Sequence, residues 1–298
     1  MAAAPNNAPD KNAPGKDDGK VTRIVVGLDT SLIARDALSL AARLAASVDA
    51  RLKGVFVEDE NLLSLADLPF AREISFSGEV RALDPERMLR AMKAQAESAR
   101  RTLARIAAEA HVDWSFDVRR GRPLASLAAS ASAEDTLVIR SPGTGSREIG
   151  RTVRAATRDA HADVLLVARG TGLKAALVAP SPAQRNALYA SMPGRPVACV
   201  DEGTSPGEAC SAFAETLAAR IGAPFLRLSA KGRAPADLAA AARQGGVGIL
   251  VVNADWLGDD DDAARLSAAA GCPVLLLGKE RGPLAGPSTS AAKGAKGG

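Results

Sequence analysis

Asp29 ends the apolar run RIVVGLD (23–29) and is followed by Thr30 and Ser31. A carboxylate there can contact an adenine or a ribose, or it can join the two hydroxyl residues in capping the next helix, and both uses stay open. Farther along, SPGTGSREIG (141–150) supplies Gly143, Gly145 and Gly150 ahead of a helical pattern. A glycine loop feeding a helix N-terminus is one way to hold phosphate. Arginine gathers nearby. Arg119, Arg120 and Arg122 follow one apolar segment, Arg140 ends another, and Arg147, Arg151, Arg154 and Arg158 occupy the loop and helix after it, the last three on one helical face. Guanidinium groups can grip phosphate bidentately; the other reading is a set of solvated charges paired with Glu148, Asp159 and Asp163.

Other reactive residue types are sparse. Cys199, Cys210 and Cys272 form an odd set without a CxxC pair, and the chain has two histidines, too few for a His/Cys metal cluster. The expectation is a reducing compartment, buried cysteines and no metal. His111 falls at a helix end and His161 in a turn before a strand, where they read as caps rather than acids or ligands. GxSxG is absent and no Ser/His/Asp order is persuasive, so catalysis is not expected.

The elements that must position these residues fit two domains' worth of ordinary globular protein: 298 residues, 47% hydrophobic and 24% charged. Residues 1–20 lack the apolar core of a secretion signal, and no run approaches the ~20 apolar residues that span a bilayer. A cytoplasmic protein without membrane contact is expected. The formal net charge of +4 is local: residues 1–20 cancel, and +3 belongs to residues 279–298. The Gly/Ala/Lys composition of 281–298 reads as a disordered tail, as does 1–20. A nearly neutral remainder without aromatic residues interleaved among basic ones disfavours nucleic acid as a partner.

From Val21, short β-branched runs alternate with alanine-rich helical patterns. Strands are expected over 23–29, 52–57, 114–121, 136–140 and 163–169. Helices follow over 32–48, from Asp84, Pro85 and Glu86 onward, 124–132 and 151–160. Strands buried on both faces and separated by helices imply a parallel sheet. After Thr171 the order repeats, with strands expected at 175–180, 196–201, 224–229, 248–253 and 273–278. GRPLASLAA (121–129) answers GRAPADLAA (232–240), and ADVLLVARG (162–170) answers CPVLLLGKE (272–280) at matched spacing. The fold class expected is α/β: two doubly wound five-stranded parallel-sheet domains, 21–170 and 173–280, related by internal duplication. The insertion 58–84 carries Leu62, Leu63, Leu65, Phe70 and Phe76, material for a lid, a partner surface or packing on the long helix.

Three features together resemble tandem universal stress proteins, whose fold is of the adenine nucleotide alpha-hydrolase-like type. They are VVGLD with Asp29, the turn Gly121, Arg122, Pro123, and the ending GCPVLLL. The resemblance covers residues 21–280. The family divides into members that bind ATP or AMP and members that do not, and a site of the first kind would lie in the first half, with Asp29, Val57 and Arg140 at strand ends. The resemblance also implies a phosphate loop drawn from Gly143, Gly145, Gly150, Arg151 and Thr152. That loop departs from the family spacing, because Gly143 and Gly145 stand too close to Gly150 and Arg151 takes the place of a hydroxyl residue. In the second half Pro180 and Ser181 stand where Asp is expected, and Asp260 and Asp261 replace the glycine and hydroxyl positions. That half is read as having lost nucleotide binding. The resemblance further implies pairing of the last strands, 163–169 and 273–278, across an internal pseudo-dimer. A protein partner or self-association through those strands is the expected mode of action. The reading is a noncatalytic stress-response or regulatory protein; the alternative is an adenine-nucleotide sensor or weak ATPase using the first half.

Overall fold

The β-branched and leucine-rich runs form strands whose two faces are both covered, as continuous hydrophobic patterning requires. The computed structural model describes residues 22–29, 32–74, 77–141, 147–168, 171, 194–258 and 261–278. The expected tails, the 175–180 strand, Gly143, Gly145, Pro180, Ser181 and Asp260 lie outside the described residues.

In chain order the first half runs β1 (Arg23–Leu28), α1 (Leu32–Val48), β2 (Arg51–Asp59), α2 (Glu60–Ala66), β3 (Arg72–Ile74), β4 (Val80–Ala82), α3 (Pro85–Ala110), β5 (Trp114–Gly121), α4 (Pro123–Ala128), β6 (Asp135–Ser141), α5 (Arg147–Arg154) and β7 (Asp163–Ala168). A π-helical turn, Ala155–Asp159, extends α5. The second half runs β8 (Val197–Asp201), α6 (Ser205–Ile221), β9 (Phe225–Ser229), α7 (Pro235–Gln244), β10 (Ile249–Asn253), α8 (Asp262–Ala270) and β11 (Val274–Leu277).

Both halves share one nine-stranded sheet, ordered β5-β2-β1-β6-β7-β11-β10-β8-β9. Each half is parallel within itself, and the joint between β7 and β11 is antiparallel, with Leu165 opposite Leu275. Ile24, Val26 and Leu28 pack with α1, α3 and α6 on one face. Val25, Val138's neighbours Leu137 and Ile139, and the buried sides of α4, α5, α7 and α8 fill the other. The last strands therefore pair within the chain. Self-association through them is closed off, because β7 and β11 each have strand partners on both edges.

The fifth strand expected of the second half, 175–180, lies outside the described residues. Among the described residues that half has four strands, and β8, not the 175–180 segment, lies beside β10 as β1 lies beside β6. β9 takes the sheet position of β2, yet leads into α7 through Gly232, as β5 leads into α4 through Gly121. Both glycines adopt positive φ, 150° at Gly121 and 71° at Gly232, and proline opens the helix in each case. The pair corresponding to α3 and β5 has no counterpart between β9 and α7.

Local signals explain the long helix. The Asp84 side chain accepts from the Glu86 amide and Pro85 occupies the first turn. Met92, Ala96, Ala99, Leu103 and Ile106 form its buried stripe, and His111 ends it in the left-handed region. The insertion is not a plain loop: it folds into α2 and the antiparallel pair β3–β4.

Candidate functional site

Open parallel sheets offer ligand space beyond the carboxyl ends of their strands. Here β1, β2 and β6 end around a cavity of about 310 Å³. Gly27, Val55, Val57, Val138 and Ile139 line its strand side, Leu124 and Leu127 of α4 its flank, and Leu62, Met92 and Gln95 its roof. A Cβ on Gly27 would stand 2.9 Å from Leu127 Cδ2, so glycine lets α4 approach the sheet here. Part of the insertion thus roofs the cavity, through Leu62 of α2.

Three charged side chains reach this cavity: Asp29, Asp59 and Arg140. Asp59 accepts from the Asn61 amide at 2.9 Å and caps α2. Arg140 donates to Asp29 in an ion pair across the ends of neighbouring strands. The pair is part-exposed, Asp29 to 41% and Arg140 to 33%. Both carboxylates are thereby engaged, and the remaining wall is mainly apolar. The arrangement suits recognition of a flat, partly polar ligand better than proton transfer.

The other expected site residues diverge. Arg151 and Thr152 line a larger, open groove of about 560 Å³ between α4 and α5, floored mostly by alanines. Gly150 borders a small recess of about 30 Å³ against the second half. The reason is positional: α5 begins at Arg147, so Arg151 and Thr152 sit beyond its first turn, where amides are spent inside the helix. The Thr152 hydroxyl donates to the Glu148 carbonyl at 2.8 Å. The groove is larger, but strand ends and opposed charges converge only at the smaller cavity, which is therefore the candidate site.

Four of the arginines have carboxylate partners other than Glu148, Asp159 and Asp163. Arg119 pairs with Asp117 at 3.1 Å, Arg120 with buried Glu58 at 2.9 Å, Arg122 with Glu60 at 3.7 Å and Arg158 with Asp255 at 3.6 Å. Asp163 instead accepts from the Gly278 amide at 3.0 Å.

A counterpart to the Asp29 and Arg140 pair exists in the second half and was not read from the sequence. Val26, Val138 and Leu165 are register partners, as are Cys199, Val251 and Leu275. Counting along the strands from these rows, Glu202 corresponds to Asp29 and Asn253 to Arg140. The contact is kept: Asn253 Nδ2 donates to Glu202 Oε2 at 3.4 Å. The Thr204 hydroxyl reaches the same oxygen at 3.3 Å, while Oε1 is buried without a hydrogen bond. Burial, and then Asp255 and Asp201, push the Glu202 carboxyl up. The signal lay in the helices, since α1 and α6 both have 17 residues and both begin four residues beyond these register rows' ends, after Leu28 and Asp201. Neutral Asn253 in place of arginine leaves this edge acidic. Asp261 pairs with Arg265 at 3.6 Å.

The three cysteines are free and buried, and burial pushes their thiols up to about 11 for Cys199 and about 12 for Cys210 and Cys272. Among the described residues no group of His, Cys, Asp and Glu could hold a metal ion, and no helix is long and apolar enough to cross a membrane.

No protein-family model matches the sequence, and a search of curated proteins finds no match. Among solved structures, a universal stress protein from Archaeoglobus fulgidus DSM 4304 aligns with a TM-score of 0.59 at 11% identity, covering 86% of this chain and 96% of that one. A protein from the universal stress protein family from Burkholderia pseudomallei is 25% identical over 49% of this chain and 95% of its own, with a TM-score of 0.32. A universal stress protein in complex with cAMP is 22% identical over 49% and 96%, with a TM-score of 0.35. The first of these likenesses extends over both halves: the chain has the fold of a universal stress protein.

Proposed function

We propose that the chain is a noncatalytic regulatory protein of the universal stress type, acting in the cytoplasm through a protein partner. Its halves, 21–170 and 173–280, derive from duplication. One weak small-molecule site, for ATP or AMP, lies in the first half, and the second half has lost its own. The observation that carries this reading is the engagement of Asp29 by Arg140 within a mainly apolar cavity. A carboxylate so held can orient an adenine or ribose, and the other acid lining the cavity, Asp59, is engaged in capping α2. The matched contacts Asp29 with Arg140 and Glu202 with Asn253 support duplication followed by divergence.

The second reading, a nucleotide sensor or weak ATPase, is favoured by the same cavity, where Asp29 and Val57 lie together. Calorimetric titration with ATP and AMP, after stripping and identifying any carried ligand, separates the two. The regulatory reading expects at most one site with Kd of about 1 mM, weakened in Asp29→Ala, and no sustained phosphate release. Multiple-turnover phosphate release that disappears in Arg140→Ala would overturn it in favour of the ATPase.

A further inference from the structure

The exposed large hydrophobic side chains of the described residues are unevenly placed. Six of the nine, Leu62, Leu65, Leu68, Phe70, Ile74 and Val80, fall in the insertion. The β3–β4 hairpin shows why. Its register sets Glu73 opposite Arg81 and Ile74 opposite Val80. Successive side chains of a strand point to opposite faces, so the charged row and the apolar row lie on opposite sides. The charged row is turned to the body of the protein, where Glu73 pairs with Arg87 of α3 at 3.2 Å. The apolar row is turned outward, leaving Ile74 74% and Val80 61% exposed beside Phe70 at 73%. A hairpin folded for solvent alone would have the opposite polarity.

We propose that this outward face is a contact between two copies of the chain, related by a two-fold axis. Taking full exposure of a large side chain as roughly 200 Å², the three residues leave roughly 400 Å² of apolar surface. That approaches the apolar share of a standard interface, a little over half of about 800 Å² per partner. A two-fold contact sets the apolar row of each copy, Ile74 and Val80, against the same row of the other, with Arg72 at its rim. Glu79 stands with the opposite, charged row, where it pairs with Arg81. Anionic lipid or nucleic acid is a poorer occupant, because residues 60–90 carry six acidic side chains against four basic ones.

Sedimentation velocity of the full chain up to about 100 μM tests the contact. A dimer is expected in the wild type. Ile74→Asp should weaken it by about tenfold or more, with unchanged circular dichroism, since Ile74 is exposed in the monomer. Val80→Asp, at the position opposite Ile74, should weaken the dimer likewise. A wild type that stays monomeric throughout this range overturns the proposal, as does a dimer indifferent to Ile74→Asp. A monomer that sediments with phosphatidylcholine–phosphatidylglycerol vesicles through Ile74 would assign the face to membrane instead.

Discussion

Two carboxylates at equivalent strand ends have been given different neighbours. Asp29 meets a guanidinium from Arg140, whereas Glu202 meets the neutral amide of Asn253 and lies near Asp201 and Asp255. Burial without a compensating cation favours the protonated form, so the Glu202 carboxyl titrates above its ordinary range. The consequence for stability has a definite sign. A folded-state pKa above the unfolded value stabilises the protein fully below the unfolded pKa, and that contribution is lost as pH rises through the folded one. Glu202→Gln, which keeps the shape and removes the charge, should therefore raise the melting temperature at pH 7 while changing it little near pH 4. Paired thermal melts at the two pH values check this, and an equal effect at both would contradict the burial argument.

At the scale of elements, β1 and β6 must be held side by side for Asp29 and Arg140 to meet. Their starting ends are fastened by Arg23, whose Nε and terminal nitrogen each donate at 2.8 Å to the carboxylate of Asp135, itself 1% exposed. That hydrogen bond, ahead of the charge attraction, raises the Arg23 pKa. Arg23→Ala removes two charge-assisted bonds from a buried acid that keeps only Ser132 as a partner among those resolved here. The expected loss is about 2 kcal/mol, read as a lower urea midpoint at unchanged slope. Elements of this kind were legible in the sequence wherever a local signal sufficed. β-branched runs marked the strands, and Asp84 with Pro85 marked the start of α3. What failed was assignment by order alone. Order along the chain points to the 175–180 run as the counterpart of β1, but partnership in a sheet is decided by long-range pairing, and β8 is the strand beside β10. The same limit hid Glu202 and Asn253, and it grouped Arg151 and Thr152 with Asp29, although they line the groove between α4 and α5. The polarity of the β3–β4 hairpin was likewise invisible, because alternation identifies two faces without saying which one meets the body.

For the whole molecule, the antiparallel joint makes one folding unit of the two halves. Leu165 and Val167 share a core with Leu275 and Leu277 on one face, and Val164 and Leu166 share another with Val274 and Leu276. Helices cross the joint as well: Arg220 of α6 donates to the Ser47 carbonyl of α1 at 3.5 Å, and Arg158 reaches Asp255 at 3.6 Å. These rim contacts are partly solvated and worth little. The buried end of the joint differs in kind. Asp163, 1% exposed, accepts from the Gly278 amide, and a Cβ on Gly278 would lie 2.8 Å from the Ala162 carbonyl oxygen and 3.1 Å from that of His161. Backbone on both sides leaves no flexible side chain to yield. Gly278→Val should therefore force β11 away from the start of β7 and cost about 2–3 kcal/mol by overpacking, whereas Asp255→Ala should cost less than about 1 kcal/mol. Urea unfolding followed by circular dichroism distinguishes them. A single transition is expected for the wild type and for Asp255→Ala, since neither breaks the shared cores. If Gly278→Val splits the transition in two, each half retains enough of its own core to fold separately, and the joint is what makes the pair cooperative.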